Sequence, residues 1–313
     1  MSISRTRLPA LVWFLLIVLD LFAAWPAGAQ RFASHTFTQT FPVGGSPVGV
    51  AFDGENIWVA NRVSNDVTKL RASDGNLLGT FPLGTSPEVI IFDGSAIWVA
   101  NPTSDNVMKL RISDGTILLT LPVGEYPAGL AIEGENVWVS NFGDNTVTKL
   151  HASDGVLLGN FPAGPSPQGM CFDGENIWTA NTRGNSVSKL RASDGALLGT
   201  FHVGGGPSDV LFDGTDIWVV SEVNGSVTKL RRSDGVLLGR RKVGRFPKAL
   251  AFDGKDLWGT ISGDDTVLRL GTRSSATRAS YEVSGAWGMT FDGNSIWVTN
   301  YYSSTVTKIS RSR

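Results

Sequence analysis

The sequence repeats about every 40 residues, and this period limits the possible folds more than any other feature of the chain. A tryptophan marks each repeat, and a phenylalanine or isoleucine lies six positions before it. Seven tryptophans follow this rule: Trp58, Trp98, Trp138, Trp178, Trp218, Trp258 and Trp297. A period near 40 residues with short apolar segments is typical of propeller blades, in which neighbouring sheets bury each other's faces.

Each repeat divides into four short apolar segments separated by turn residues. Asp-Gly pairs at 53–54 and 74–75 suit the tight turns of hairpins, because such turns need a positive φ. The second segment is apolar on both faces, as expected of a sheet covered on both sides. In the first repeat, the predicted strands A to D are Val48–Phe52, Asn56–Ala60, Val67–Arg71 and Leu77–Leu83.

The two ends of the repeat array complement each other. The last repeat stops after its strand C, at residues 306–309, and has no strand D. A spare strand D, residues 36–43, precedes the first repeat. We therefore predict an all-β, seven-bladed β-propeller of four-stranded blades, closed by the N-terminal strand completing the last blade. Residues 30–313 form this single domain.

The first 29 residues have the pattern of a signal peptide. Arg5 and Arg7 precede an apolar stretch, Leu8–Trp25, and Ala27–Ala29 has the small-x-small form of a cleavage site. The alternative is an uncleaved membrane anchor, which Asp20 inside the apolar stretch disfavours. We expect export to the periplasm or the medium, with no stable membrane insertion after cleavage.

Charge and cysteine content argue against a nucleic-acid-binding protein and against a disulfide-stabilised one. The formal net charge is -1, so no basic surplus is available to neutralise phosphates, and nucleic acid is not an expected partner. Cys171 is the single cysteine, so the chain forms no intramolecular disulfide.

Residues that recur in most repeats are interpreted as parts of the blade. We expect the tryptophans to pack each sheet on the next, and the aspartates that precede Gly to form the A–B turn. We expect the lysines that follow the same period to form a solvated rim, and Asn61 and its equivalents to cap the B–C turn through bonds to backbone. The lysine series is Lys69, Lys109, Lys149, Lys189, Lys229 and Lys308, with Arg269 in the sixth repeat.

Residues that differ between repeats are the candidates for function. The D–A and B–C loops are expected to share one face, where propellers bind ligands around the channel mouth. Aromatic side chains beside isolated charges suit a peptide, a glycan or a small polar molecule, or another protein. The candidates are Arg62, Glu88, Tyr126, Phe142, Gln168, Arg183, Glu222, Arg245, Phe246, Lys248, Trp287 and Tyr301.

The repeat resembles the YVTN-type β-propeller family. The resemblance rests on Ile57–Asn61, Val67–Leu70, Asp74–Gly75 and Gly44–Pro47, and it covers residues 36–310. It implies a seven-bladed propeller. Streptogramin lyases are similar in a looser way, and that resemblance implies a lyase using histidine, glutamate and magnesium near the central channel.

The sequence holds no catalytic constellation. None of its three histidines falls on the predicted ligand face, and no metal-binding spacing of His or Cys occurs. We therefore expect a non-catalytic binding propeller without a cofactor or metal. Two alternatives stay open. One is a streptogramin lyase-like or lactonase-like enzyme with a divalent metal and a carboxylate base such as Glu88, and the other is a structural surface repeat that contacts other chains.

Overall fold

The structure is a computed structural model that describes residues 37–84, 86–273 and 276–310. The predicted signal peptide, residues 1–29, lies outside these ranges. Within them, no helix has the length and apolar character needed to span a membrane.

The described ranges form seven four-stranded antiparallel sheets, and β1 (Phe37–Pro42) precedes the first blade along the chain. Blade one contains β2 (Pro47–Phe52), β3 (Asn56–Asn61), β4 (Asp66–Arg71) and β5 (Leu77–Pro82). Blade two contains β6 (Val89–Phe92), β7 (Ala96–Asn101), β8 (Asn106–Arg111) and β9 (Ile117–Pro122). Blade three contains β10 (Pro127–Glu133), β11 (Asn136–Asn141), β12 (Thr146–His151) and β13 (Leu157–Pro162).

The remaining blades follow the same order. Blade four contains β14 (Pro167–Phe172), β15 (Asn176–Asn181), β16 (Ser186–Arg191) and β17 (Leu197–His202). Blade five contains β18 (Pro207–Phe212), β19 (Asp216–Ser221), β20 (Ser226–Arg231) and β21 (Leu237–Lys242). Blade six contains β22 (Pro247–Phe252), β23 (Asp256–Ile261), β24 (Thr266–Gly271) and β25 (Thr277–Glu282). Blade seven contains β26 (Ala286–Phe291), β27 (Ser295–Asn300) and β28 (Thr305–Ser310). Short 3-10 turns, Pro102–Ser104 and Ser262–Asp264, connect strands B and C in blades two and six.

The N-terminal strand closes the ring. β1 pairs antiparallel with β28, from Phe37 opposite Ser310 to Pro42 opposite Thr305. The sheet order is β1-β28-β27-β26, so β1 serves as strand D of blade seven. The predicted seven-bladed propeller and its closure are therefore confirmed, with strand bounds that differ from the prediction by about one residue.

One carboxylate in each blade ties the A–B turn to the buried tryptophan. In blade one, Asp53 Oδ1 accepts the amides of Glu55 and Asn56 at 2.9 and 2.6 Å. Asp53 Oδ2 accepts the indole N–H of Trp58 at 2.7 Å. Since the seven repeat tryptophans are 0–1% exposed, this bond satisfies their one polar atom inside the core.

The prediction of a solvated lysine rim is wrong. Lys69 is only 9% exposed, and its Nζ lies 5.0 Å from the ring centroid of Trp58. The same Nζ donates to the Ile112 carbonyl of the next blade at 2.6 Å. The long side chain crosses the indole and reaches a backbone carbonyl of the next blade. The cation–π contact and the hydrogen bond therefore offset the cost of burying the ammonium group. Equivalent bonds to the next blade are made by Lys109, Lys149, Lys189, Lys229 and Lys308.

The repeated asparagine bonds to side chains rather than to backbone, contrary to expectation. Asn61 Nδ2 donates to Asp66 Oδ1 at 2.6 Å and to Thr68 Oγ1 at 2.8 Å. The side-chain amide therefore links strands B and C directly, and this link stabilises the B–C turn between them.

Small residues let the innermost strands approach each other around the axis. A Cβ on Gly49 would lie 2.5 Å from the Glu88 carbonyl oxygen, and one on Gly169 would lie 2.7 Å from that of Ser208. Because real side chains do not tolerate such distances, glycine at these positions sets how tightly the ring closes.

Candidate functional site

The D–A and B–C loops lie together on one face of the ring, hereafter the loop face. Phe142 N donates to the Tyr126 carbonyl at 2.9 Å, and Tyr301 N donates to the Gly285 carbonyl at 2.9 Å. Both bonds join a B–C loop to the D–A loop of the same blade. The predicted clustering of these loops is therefore present in the fold.

A central cavity of about 600 Å³ opens among the innermost strands of all seven blades. This volume lies in the usual range of small-molecule sites, ~300–1,000 Å³. The first wall position varies from blade to blade and holds Val48, Glu88, Ala128, Gln168, Ser208, Lys248 and Trp287. Two positions further along, six of the seven strands add an apolar residue to the wall: Val50, Ile90, Leu130, Met170, Leu250 and Met289.

Blades five to seven contribute a cation held between a carboxylate and an aromatic ring. Lys248 Nζ lies 2.7 Å from Glu222 Oε1 and 4.3 Å from the ring centroid of Trp287. Trp287 in turn stacks on Tyr301, with ring centroids 4.8 Å apart. Lys248, Glu222 and Trp287 line the cavity, so this group offers an apolar plane beside fixed charges of both signs.

Blades one to three contribute a partly desolvated carboxylate. Glu88 Oε1 lies 3.0 Å from Arg62 Nε, and the Tyr126 hydroxyl also bonds to this carboxylate. Burial raises the pKa of Glu88, and the Arg62 charge and the Tyr126 bond oppose that rise. Burial and the Glu88 charge raise the pKa of Tyr126, so its hydroxyl keeps its proton as a donor.

Aromatic and amide groups continue the wall through blades three and four. Tyr126 and Phe142 have ring centroids 5.8 Å apart, and the Arg183 guanidinium lies 5.3 Å from the Phe142 centroid. Gln168 Oε1 accepts the Thr182 hydroxyl at 2.9 Å. Arg183 thus contacts Phe142 and is not itself a lining residue of the cavity.

Two aromatic residues of the D–A loops have a left-handed backbone. Tyr126 has φ 53° and Phe246 has φ 50°, each directly before the loop proline. Bulky residues rarely adopt this conformation, which costs on the order of 1–3 kcal/mol. Ser46, Ser166, Gly206 and Gly285 occupy this place in other blades. At Tyr126 the strained backbone accompanies a hydroxyl that contacts Glu88.

The structure brings together most of the predicted site residues. The wall of the central cavity includes Glu88, Tyr126, Phe142, Gln168, Glu222, Lys248 and Trp287. Arg62, Arg183 and Tyr301 contact these wall residues from outside. Arg245 pairs instead with Asp264 at 2.6 Å, and Phe246 is 56% exposed. These last two lie at the outer loop face and do not reach the cavity.

Asp209 is a wall residue that sequence analysis missed. Its Oδ1 accepts the Val210 amide and its Oδ2 accepts the Leu250 amide of blade six, both at 2.9 Å. Burial raises the pKa of Asp209 to about 6, although both backbone bonds favour the charged form. Its position in strand A holds glycine in four other blades, at 49, 129, 169 and 288. Comparing the repeats one residue further along would have identified it.

The described ranges contain no group of three or more His, Cys, Asp or Glu side chains that could hold a metal ion. The cavity carboxylates are engaged separately, Glu88 with Arg62 and Glu222 with Lys248. His151 bonds to Asp154 on the outer strands, and His35 lies outside the described residues. The residues present therefore do not fit the magnesium site implied by the looser resemblance.

These observations define the class of protein: a seven-bladed β-propeller with an open cavity where its blades meet. No family model matches the chain, so its membership of the YVTN-type family stays a prediction. No curated protein matches it either.

Solved structures of similar fold are found among enzymes. Virginiamycin B lyase from Staphylococcus aureus superposes with a TM-score of 0.77 at 18% identity, covering 88% of this chain and 99% of that chain. A streptogramin B lyase gives a TM-score of 0.76 at 17% identity, with coverage of 88% and 98%. Kuenenia stuttgartiensis hydrazine synthase gives 0.76 at 20% identity, with coverage of 85% and 95%. At these identities the likeness establishes the fold alone.

Proposed function

We propose that this chain is an exported, non-catalytic binding propeller that holds a peptide, a glycan or a small polar molecule in its central cavity. The observation that carries the proposal is the group formed by Lys248, Glu222 and Trp287 at the cavity wall. The Trp287 side chain gives an apolar contact to a sugar ring or an apolar side chain, while the charges of Lys248 and Glu222 bind polar groups.

The wall chemistry restricts the ligand to a molecule with polar groups on more than one side. Glu88 with Arg62 and Glu222 with Lys248 provide charges of both signs from separate blades. The apolar residues two positions further along the strands give the ligand an apolar surface. Because the strands that carry these residues are fixed by the ring, the site is largely preorganised, which lowers the entropic cost of binding.

The test is the affinity of ligands found in a thermal-shift screen of residues 30–313 against peptides, sugars and small polar molecules. We expect Trp287→Ala to weaken binding at least tenfold, measured by calorimetric titration, without unfolding the protein. Tyr302→Ala is the matched control, since Tyr302 is 77% exposed and touches Tyr301 outside the cavity wall. Equal affinities for the wild type and Trp287→Ala would remove this site from the proposal.

A second candidate is a lyase or lactonase, which the folds of the neighbouring lyases and the environment of Glu88 favour. Glu88 lies at the cavity wall and accepts a bond from the Tyr126 hydroxyl, so its carboxylate is placed where a general base could reach a bound substrate. If this candidate is right, Glu88→Gln abolishes turnover of a cyclic ester or depsipeptide substrate. Turnover that survives Glu88→Gln rules this candidate out.

Export is tested separately from ligand binding. Mass spectrometry of the protein recovered from periplasmic and medium fractions should give a chain that begins at Gln30. A cell-bound chain that retains residues 1–29 would contradict this part of the proposal.

A further inference from the structure

The outer strand of blade five differs from the corresponding strand of every other blade. β21 ends in Arg240, Arg241 and Lys242, where blade one has Thr80–Pro82. Arg241 stands where the other blades have an aromatic or leucine side chain, and Arg240 and Lys242 are exposed on either side of it. This places three positive charges in succession at one edge of the ring.

Arg240 and Lys242 line a second cavity, hereafter the blade-five cavity, with Asn224 and Ser226. It has a volume of about 280 Å³ and lies between the B–C turn and strand D of that blade. None of its lining residues is acidic, and neither basic side chain forms an ion pair within the described ranges. The cavity therefore combines positive charge with neutral hydrogen-bond donors.

A buried hydroxyl in this cavity has no hydrogen-bond partner among the described residues. Ser226 is 1% exposed, and its Oγ is unsatisfied. In blade four, Asn181 Nδ2 donates to the equivalent Ser186 Oγ at 3.0 Å. Blade five has Ser221 in place of that asparagine, and its short side chain leaves both hydroxyls unpaired. Since an unpaired buried hydroxyl costs about 1–3 kcal/mol, an acceptor from outside would be favoured here.

The basic side chains are partly held in position. Arg240 Nε donates to Thr228 Oγ1 at 3.1 Å, which fixes the guanidinium and leaves its two terminal nitrogens without a partner in the described ranges. Lys242 Nζ donates to the Asn224 carbonyl, using one of its three donors. Guanidinium, ammonium, hydroxyl and amide donors around a small cavity match the several acceptor oxygens of one oxyanion.

We propose that the blade-five cavity binds a tetrahedral oxyanion, a phosphate or sulfate group, either free or at the end of a larger molecule. The site is separate from the central cavity and shares no lining residue with it. Oxyanion binding at this site can therefore be tested independently of ligand binding in the central cavity.

The test is thermal unfolding of residues 30–313 in sodium phosphate and in sodium sulfate, each compared with sodium chloride at the same ionic strength. We expect a larger Tm increase with phosphate or sulfate, which saturates at millimolar concentration. A parallel series with glucose 6-phosphate tells whether the site also accepts an esterified phosphate. Equal shifts in all the salts would overturn the proposal.

Two variants assign the effect to this cavity. Arg240→Thr installs the residue of blade one and should weaken the apparent phosphate affinity about tenfold or more. Ser226→Asp installs the residue that blade one has at this position, Asp66. Its carboxylate would pair with the basic side chains, so the variant should have a higher Tm in low salt and no response to phosphate. Lys255→Thr removes an exposed charge from a distant turn and should respond like the wild type. A phosphate response that persists in both cavity variants would also overturn the proposal.

Discussion

In six of the seven blades, an acidic residue, a tryptophan and a lysine form a contact that links the blade to the next one. Asp53, Trp58 and Lys69 join the A–B turn, the core of blade one and a carbonyl of blade two. The aspartate satisfies the indole, and the lysine covers its face. Repetition of this set around the ring explains why lysine recurs at a buried position, where an isolated amine would be costly.

Lys69→Met tests that contact at the residue scale. Methionine keeps the apolar stem but loses the bond to Ile112 and the cation–π contact, so we expect the free energy of unfolding to fall by about 1–3 kcal/mol. Urea denaturation measures this change. Arg111→Met is the control, because Arg111 pairs with Asp114 on the surface and its loss should change stability by at most ~0.5 kcal/mol. Equal effects of the two substitutions would restore the solvated-rim interpretation.

The buried carboxyl of Asp209 predicts a pH dependence of stability. Its pKa is about 6 in the folded protein against 3.8 in the unfolded chain, so the folded state binds the proton more tightly. Its contribution to stability therefore rises as pH falls through 6 and levels off below about 4. Between pH 7 and 5, we expect the wild type to gain on the order of 1 kcal/mol relative to Asp209→Asn. Parallel stability curves for the two proteins would contradict this assignment.

At the scale of the strand, the closure of the ring depends on one segment far away in sequence. β1 supplies the outer strand of blade seven, and Phe41 packs against Trp297 with centroids 5.5 Å apart. Without β1, both this tryptophan and the edge of β28 would be exposed to solvent.

Deleting residues 30–43 should therefore abolish the cooperative unfolding transition and cause aggregation. A circular permutant that begins at Gly44 and carries residues 37–43 after β28 should recover that transition, because the same strand then closes the same sheet. Circular dichroism during thermal unfolding measures both. A deletion variant as stable as the wild type would show that β1 does not hold the ring closed.

The repeat pattern predicted the elements better than it predicted their side-chain partners. Strand identity, order and the pairing of β1 follow from periodicity and from an unfinished last repeat, both visible in the sequence. The partner of Lys69 does not, because the Ile112 carbonyl lies in another blade and is reached only once the sheets pack. The partners of Asn61 are not evident from the repeat either, because Asp66 and Thr68 lie on β4 and face Asn61 only once β3 and β4 pair.

At the scale of the whole molecule, the ring brings together residues that are distant in sequence. Comparison among repeats identified Lys248 and Trp287 as variable, but their contact across two blades depends on the ring geometry. The variation between repeats in the loops does not reveal Asp209, because this residue lies within strand β18. The charge of Arg245 and the aromatic ring of Phe246 predict a ligand contact, but neither side chain reaches the cavity.

The proposed function requires the ligand to bind in the cavity on the propeller axis. A crystal structure of residues 30–313 with a ligand identified by the thermal-shift screen would show whether it does. We expect electron density in the central cavity, with the ligand in contact with Trp287 and bonded to Lys248 or Glu88. A ligand bound on the outer surface, with the cavity wall unchanged and filled by solvent, would contradict it.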